Sequence, residues 1–212
     1  MDKKKKIILI SVISLVIVLI IIGIIAYVIG NNKKGKLSKV MEFHNMLKEK
    51  NEYKCIMKVD DEHEMFYAKK DGKAYIKTKY GENTIENIVR DGNTYFIKRD
   101  EECYYTYKNN EIELNKIELA LKELENSEYT KGKEKIGNTK YSFEEYKIAI
   151  PLTMLDLSTD DVEDFTTRLY FKGKDLKYIK TAKDGKQELL KMEFSNDVDN
   201  KLFEIPSNFE ER

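Results

Sequence analysis

The sequence contains no tryptophan, two cysteines, two histidines, two prolines and only four arginines. Two cysteines exclude a disulfide-built scaffold and a four-cysteine zinc site, and two histidines exclude most histidine-built metal chemistry. With basic residues confined to Arg90, Arg99, Arg168, Arg212 and the lysines, there are too few bidentate forks for a surface that reads phosphates or bases. Charge of one sign is also missing. Lys+Arg and Asp+Glu both count 38, and without Asp2 and Lys3 to Lys6 the balance is 34 to 37. A chain this close to neutral is not built to bind bulk nucleic acid.

Catalytic spacing is absent as well. None of the patterns G-x-S-x-G, G-x-x-x-x-G-K-[ST] or G-x-G-x-x-G occurs. Asp60-Asp61-Glu62-His63-Glu64 is the densest run of oxygen and nitrogen ligands, and Asp156, Asp160, Asp161 and Asp164 form a second acidic group. Neither matches a calcium loop or a zinc helix. The expectation is a protein without enzymatic activity, metal or cofactor.

What is present is concentrated at one end. From Ile7 to Gly30 the chain runs 24 residues without a charge, although mean hydropathy is −0.59 and 36% of residues are charged. At 1.5 Å per residue such a helix crosses a hydrocarbon core of about 30 Å. The run exceeds the usual core of a cleaved signal, and no small-x-small site precedes Asn31. An uncleaved signal anchor over 7–30 is expected, preceded by a basic tail, 1–6, and followed by a polar linker, 31–36. Lysines flank both ends of the run, so counting them does not orient it. The compact block Lys3 to Lys6, with the α-amino charge, favours a cytoplasmic N-terminus. That places 37–212 outside the cytoplasm at the cell membrane, as a single domain.

Beyond the linker, Leu37, Val40, Met41, His44 and Leu47 recur at three- and four-residue spacing, which predicts a helix over 37–50 with Ser38 near its start as a cap. From Glu52 the period becomes two. Asp71-Gly72 and Asp91-Gly92 are hairpin signals, and strands are predicted over 52–59, 64–70, 73–80, 84–90, 93–99 and 103–108. This reads as a half-buried meander with a lysine-rich wet face. Asn115, with Glu118 three residues on, opens a second predicted helix over 115–125. Strands resume over 128–136, 140–149, 165–172, 176–181 and 188–194. Leu202-Phe203-Glu204-Ile205-Pro206 reads as a short extended piece. Hairpins broken by one helix make an α+β domain with a large antiparallel sheet.

Three segments carry a resemblance. They are Lys133 to Tyr141, Leu169-Tyr170-Phe171 ahead of Tyr178-Ile179-Lys180, and the ending Leu202-Phe203-Glu204-Ile205-Pro206-Ser207-Asn208-Phe209. With the order of elements, they make 37–212 resemble the LolA/LppX-like superfamily, and in particular its membrane-anchored Gram-positive members. The resemblance implies a curved antiparallel sheet, an unclosed barrel with helices lying in its mouth. It implies a hollow for acyl chains, hence a lipid or lipoprotein partner. An anchored chain departs from the free carriers of that superfamily, which leaves local lipid handling or envelope sensing. The alternative is a protein-interaction or sensor module whose hollow is filled by its own side chains.

The aromatic residues Tyr53, Phe66, Tyr80, Phe96, Phe143, Phe165, Phe171, Tyr178 and Phe194 are candidates for the concave face and a hydrophobic pocket. Cys55 and Cys103 fall on apolar strand faces by parity. They are either a disulfide or two separate buried thiols, and the adjacency of their strands decides which.

Overall fold

The structure, a computed structural model, describes residues 37–108, 114–147, 166–183 and 185–212. The predicted anchor 7–30, its flanks 1–6 and 31–36, Phe165 and the acidic group at 156–164 lie outside the described residues. Among the described residues no helix is long and apolar enough to cross a membrane. Ser38–Arg212 forms one compact unit.

Two helices and twelve strands are described: α1 (Lys39–Glu49), β1 (Glu52–Lys58), β2 (His63–Lys70), β3 (Lys73–Tyr80), β4 (Asn83–Arg90), β5 (Asn93–Lys98), β6 (Cys103–Lys108), α2 (Lys116–Lys122), β7 (Tyr129–Ile136), β8 (Thr139–Tyr146), β9 (Thr166–Lys172), β10 (Asp175–Lys183), β11 (Lys186–Ser195) and β12 (Glu210–Glu211). The strands form one sheet in the order β12-β6-β5-β4-β3-β2-β1-β11-β10-β9-β8-β7. Two meanders, β1 to β6 and β7 to β11, are therefore joined where β1 pairs with β11, antiparallel, with Cys55 opposite Phe194. Only β12 is parallel, along β6.

The hairpin turns behave as their sequences require. Asp71 and Gly72 have φ of 48° and 73°, Asp91 and Gly92 of 54° and 74°. A two-residue hairpin whose twist matches its strands needs positive φ at both positions, which Asp-Gly tolerates.

Alternation sorts the strands onto two faces. The inner face carries Tyr53, Cys55, Met57, Met65, Tyr67, Ala74, Ile76, Val89, Tyr146, Leu169, Phe171, Ile179, Leu190 and Met192. They form one cluster with Val40, Phe43 and Leu47 of α1 and Ile117, Ala120 and Leu121 of α2. Val89 and Tyr146 lie seven steps apart in the strand order, about 34 Å on a flat sheet. Two helices roughly 16 and 10 Å long share one core with both because the sheet curves around them. The curved sheet remains unclosed, with β7 and β12 at its edges.

Four expectations are corrected. Leu37 precedes α1 and is exposed, while Phe43 takes the place expected of it in the buried stripe. Asn115 makes no side-chain cap bond to α2; its Oδ1 and the Oε1 of Glu118 both accept from Lys69 Nζ, at 2.7 and 2.6 Å, and an ion pair replaces the capping box. Asn200–Phe203 is a 3-10 turn rather than extended chain, because Asp199 Oδ1 accepts from Lys201 N at 3.0 Å and starts a turn. The outer face of β2 to β6 is wet only in part, at residues such as Lys77 and Lys79. The C-terminal segment crosses it, and Val198, Leu202, Phe203, Ile205 and Phe209 pack on Phe66, Ala68, Tyr75, Ile88, Tyr95, Ile97 and Tyr104.

Candidate functional site

Under α1 the inner face is filled. The Phe43 ring meets Phe171 at 6.4 Å and Phe194 at 5.0 Å between centroids, and Tyr53 stands 6.3 Å from Phe194 and 5.8 Å from Tyr67. The position of α1 is fixed from a distance. Its N-terminal amides, Lys39 N and Val40 N, donate to the Glu144 carboxylate at 2.8 and 3.1 Å, and Ser38 Oγ accepts from Met41 N at 3.1 Å as the sequence predicts.

At the other end of the strands no residue of α1 or α2 lines the inner face. A groove of about 310 Å³ has Met57, Val59, Met65, Thr78 and Tyr80 along its floor, with Asp60, His63 and Glu188 on its rim. Register explains the floor: Met57 pairs with Met65 and Met65 with Thr78, so all three share a face. Ile85, opposite Thr78, extends the same row and is 41% exposed, and Val59 is 38% exposed. The rim is ordered by Asp60, whose Oδ1 accepts from Glu62 N, His63 N and His63 Nδ1, each at 2.8 Å. Those donors hold the Asp60 carboxyl below its usual range, His63 first.

Between α1, α2 and the start of β1 lies a buried polar group. His44 Nδ1, Tyr53 Oη and Glu118 Oε2 are enclosed without a hydrogen-bond partner. Burial pushes the Tyr53 phenol up, helped by Tyr67 and Glu118. Burial lowers His44, helped by Lys48 and opposed by Glu118 and Glu125.

The aromatic candidates divide between the faces. Tyr53 and Phe171 belong to the inner core, Phe194 packs against it, and Tyr80 lines the groove. Phe96 is on the inner face through its pairing with Asn87, which faces Ile76, but it stands apart from the core with Lys98 Nζ 5.3 Å from its ring. Phe66, Phe143 and Tyr178 are on the outer face. Phe66 lies between Met65 and Tyr67, both directed inward, and meets Tyr75 at 5.8 Å. Phe143 pairs with Tyr170 and carries Arg168 at 4.2 Å. Tyr178 is turned outward by a bulge between Leu176 and Tyr178, which leaves Leu176 and Ile179 inward at three-residue spacing. Phe165 lies outside the described residues.

Cys55 and Cys103 are free, buried thiols, and no disulfide joins them. They sit on β1 and β6, five strand steps apart, or about 24 Å on a flat sheet against the 7 Å at which two Cα atoms can be bridged.

No local pattern in the sequence marks the carboxylates that hold the fold. Glu144 caps α1, Glu118 pairs with Lys69, Glu86 takes Arg99 Nε at 2.6 Å, and Glu145 takes Arg168 Nε at 2.7 Å while Glu134 binds the same guanidinium. The scarcity of arginine was the available signal: Arg99, Arg168 and Arg212 each hold a carboxylate. Among the described residues no three of His, Cys, Asp and Glu converge as a metal site would require.

No protein-family model matches the sequence, and no curated protein matches it. Solved structures do. LprF from Mycobacterium bovis is 12% identical with a TM-score of 0.45, over 80% of this chain and 95% of that one. An uncharacterized conserved protein from Thermus thermophilus is 9% identical with a TM-score of 0.48, over 82% and 100%. The lipoprotein LppX from Mycobacterium tuberculosis is 13% identical with a TM-score of 0.44, over 77% and 96%. At these identities and scores they assign neither a family nor a ligand to this chain.

Proposed function

We propose that the chain is a non-catalytic binding protein, anchored by residues 7–30 with its N-terminus in the cytoplasm, whose extracytoplasmic domain takes an acyl chain of a lipid or lipoprotein. The observation that carries this reading is the groove over Met57, Val59, Met65, Thr78 and Tyr80, an apolar stretch of the inner face whose lining includes no residue of either helix. Methionine side chains reshape around slender apolar guests. A volume of about 310 Å³ stands at the lower end of the ~300–1,000 Å³ of small-molecule sites, which suits one chain rather than a whole two-chain lipid.

A second reading is favoured by one observation. The space under α1 is occupied by Phe43, Tyr53, Phe171 and Phe194, as a sensor or protein-interaction module with a filled hollow requires. One experiment separates the two. The full chain is reconstituted in lipid discs containing a phospholipid with a photoreactive group on its acyl chain, and cross-linked peptides are mapped. Acyl binding predicts adducts between residues 57 and 85, competed by unlabelled fatty acid. Adducts confined to 7–30, with competition having no effect, overturn it and turn the search to a protein partner.

A further inference from the structure

Lysines placed directly opposite one another in the sheet are not all compensated by a carboxylate. Lys58 and Lys191 face each other across β1 and β11, but each has its own carboxylate, Asp61 at 2.6 Å and Glu193. Lys135 and Lys140 face each other across β7 and β8 with no acidic partner among the described residues. Like charges placed directly opposite in a sheet repel. Lys133, opposite Ser142, is exposed on the same face, and Lys172 and Lys174 flank the exposed β9–β10 turn at Gly173. Acids close to them in the chain have other partners: Glu134 and Glu145 share Arg168, and Asp175, opposite Lys172 in the register, pairs with Lys177 at 3.4 Å.

The chain enters the domain in the middle of this set. Lys39 Nζ donates to Ser142 Oγ at 2.8 Å and to Gly173 O at 3.0 Å. Ser142 lies opposite Lys133 and two residues from Lys140, and Gly173 lies between Lys172 and Lys174. Eight residues, 31–38, separate Lys39 from the end of the apolar run, and they carry Lys33, Lys34 and Lys36. Fully extended they reach about 28 Å. An uncompensated basic surface at the foot of so short a tether has one partner always within reach.

We infer that the lysine surface formed by Lys133, Lys135, Lys140, Lys172 and Lys174 binds the anionic headgroups of the membrane that holds the anchor. The inference rests on the anchored reading, and it is independent of the acyl groove at the opposite end of the strands. Each lysine brought to an anionic surface adds attraction that decays within a Debye length.

The test is lysine footprinting of the full chain in lipid discs, one set of phosphatidylcholine alone and one with phosphatidylglycerol added. Amine acylation at each lysine is read by mass spectrometry, with the exposed Lys77 and Lys122 as references. The expected result is a severalfold drop in labelling of the five lysines in anionic discs only. The drop is reversed by high salt and absent in neutral discs given free phosphate. In Lys135→Glu/Lys140→Glu, both exposed positions, Lys133, Lys172 and Lys174 should regain the labelling seen in neutral discs. Equal labelling in both disc types overturns the inference, whatever fills the groove. Failure of the chain to insert into either disc overturns the anchored reading instead.

Discussion

The Glu144 carboxylate, on β8, accepts hydrogen bonds from the backbone amides of Lys39 and Val40, more than a hundred residues earlier in the chain. Glu144 is only 4% exposed, and Tyr146 Oη donates to it at 3.1 Å. An anion at a helix N-terminus satisfies otherwise unpaired amides and meets the positive end of the helix dipole. This contact ties the first element of the domain to its second meander. Glu144→Gln retains an acceptor but loses the charge and should cost about 1–2 kcal/mol. Glu144→Leu strands two amides and a phenol and should cost about 3 kcal/mol or more. Denaturation of the full chain in detergent, followed by far-ultraviolet circular dichroism, measures both. A Leu variant as stable as the parent would remove the carboxylate from this role.

The ion pair of Lys69 with Glu118 supports a second prediction. The two side chains are 17% and 6% exposed, and they lie between β2 and α2. Lys69→Met leaves a buried carboxylate without its cation and should destabilise by about 3–5 kcal/mol, whereas the double variant Lys69→Met/Glu118→Leu should recover most of that loss. Denaturation midpoints of the three variants give the coupling. Additive losses would show that the pair does not act as a unit.

His44 sets a dependence on pH. Its ring is enclosed by α1 and α2 with Lys48, Glu118 and Glu125 as charged neighbours, and burial depresses its pKa below the ordinary value of 6.5. The unfolded chain therefore binds the proton more readily than the folded one. The stability His44 contributes is complete above about pH 6.5, and it declines as pH falls below that value. Denaturation midpoints at pH 7.5 and 5.5 should differ more for the parent than for His44→Asn. Equal slopes would mean that the ring is protonated in the fold.

The local pattern was legible because each strand is short and bounded by its own turn chemistry. Asp71-Gly72 and Asp91-Gly92 fix two hairpins within a residue of the predicted ends, since positive φ is a requirement the sequence displays openly. Pairings between distant strands have no such local sign. Nothing near Cys55 indicates that β11 lies beside it, and nothing near Cys103 indicates that β12 does. Counting by twos from Leu176 puts Tyr178 on the inner face, but the bulge after Leu176 breaks that parity and turns it outward. Met57, Met65 and Thr78 come from three different strands, and their junction as a groove needs the register of all three.

The thiols give a direct check on that topology. Cys55 and Cys103 are 0% and 1% exposed, and burial pushes the Cys55 thiol well above its usual range. Thiolate is the reactive form, so neither should react with a maleimide in the folded chain, while both react in denaturant. Reductant should leave the denaturation midpoint unchanged. Isolation of a peptide pair joined through Cys55 and Cys103 would overturn the strand order between β1 and β6.

The C-terminal segment makes the last prediction. Phe203, 3% exposed, sits on the outer face of the β2 to β6 meander, with its carbonyl accepting from Arg90 Nη1 at 3.1 Å. Phe203→Ala removes a large buried side chain and should cost about 3–5 kcal/mol. Ending the chain at Pro206 is a different lesion. It removes Phe209 and β12, which pairs Glu210 and Glu211 with Cys103 and Tyr104, and with them the Thr106–Glu211 hydrogen bond at 2.5 Å and the Arg212–Glu101 ion pair at 2.8 Å. The edge of β6 then presents unpaired backbone groups beside Tyr104 and the 57%-exposed Tyr107, a template for intermolecular pairing. The truncated chain should lose less stability than Phe203→Ala yet self-associate more, as read by light scattering at matched concentration in detergent. If the point variant aggregates and the truncation stays monodisperse, β12 is not what guards that edge.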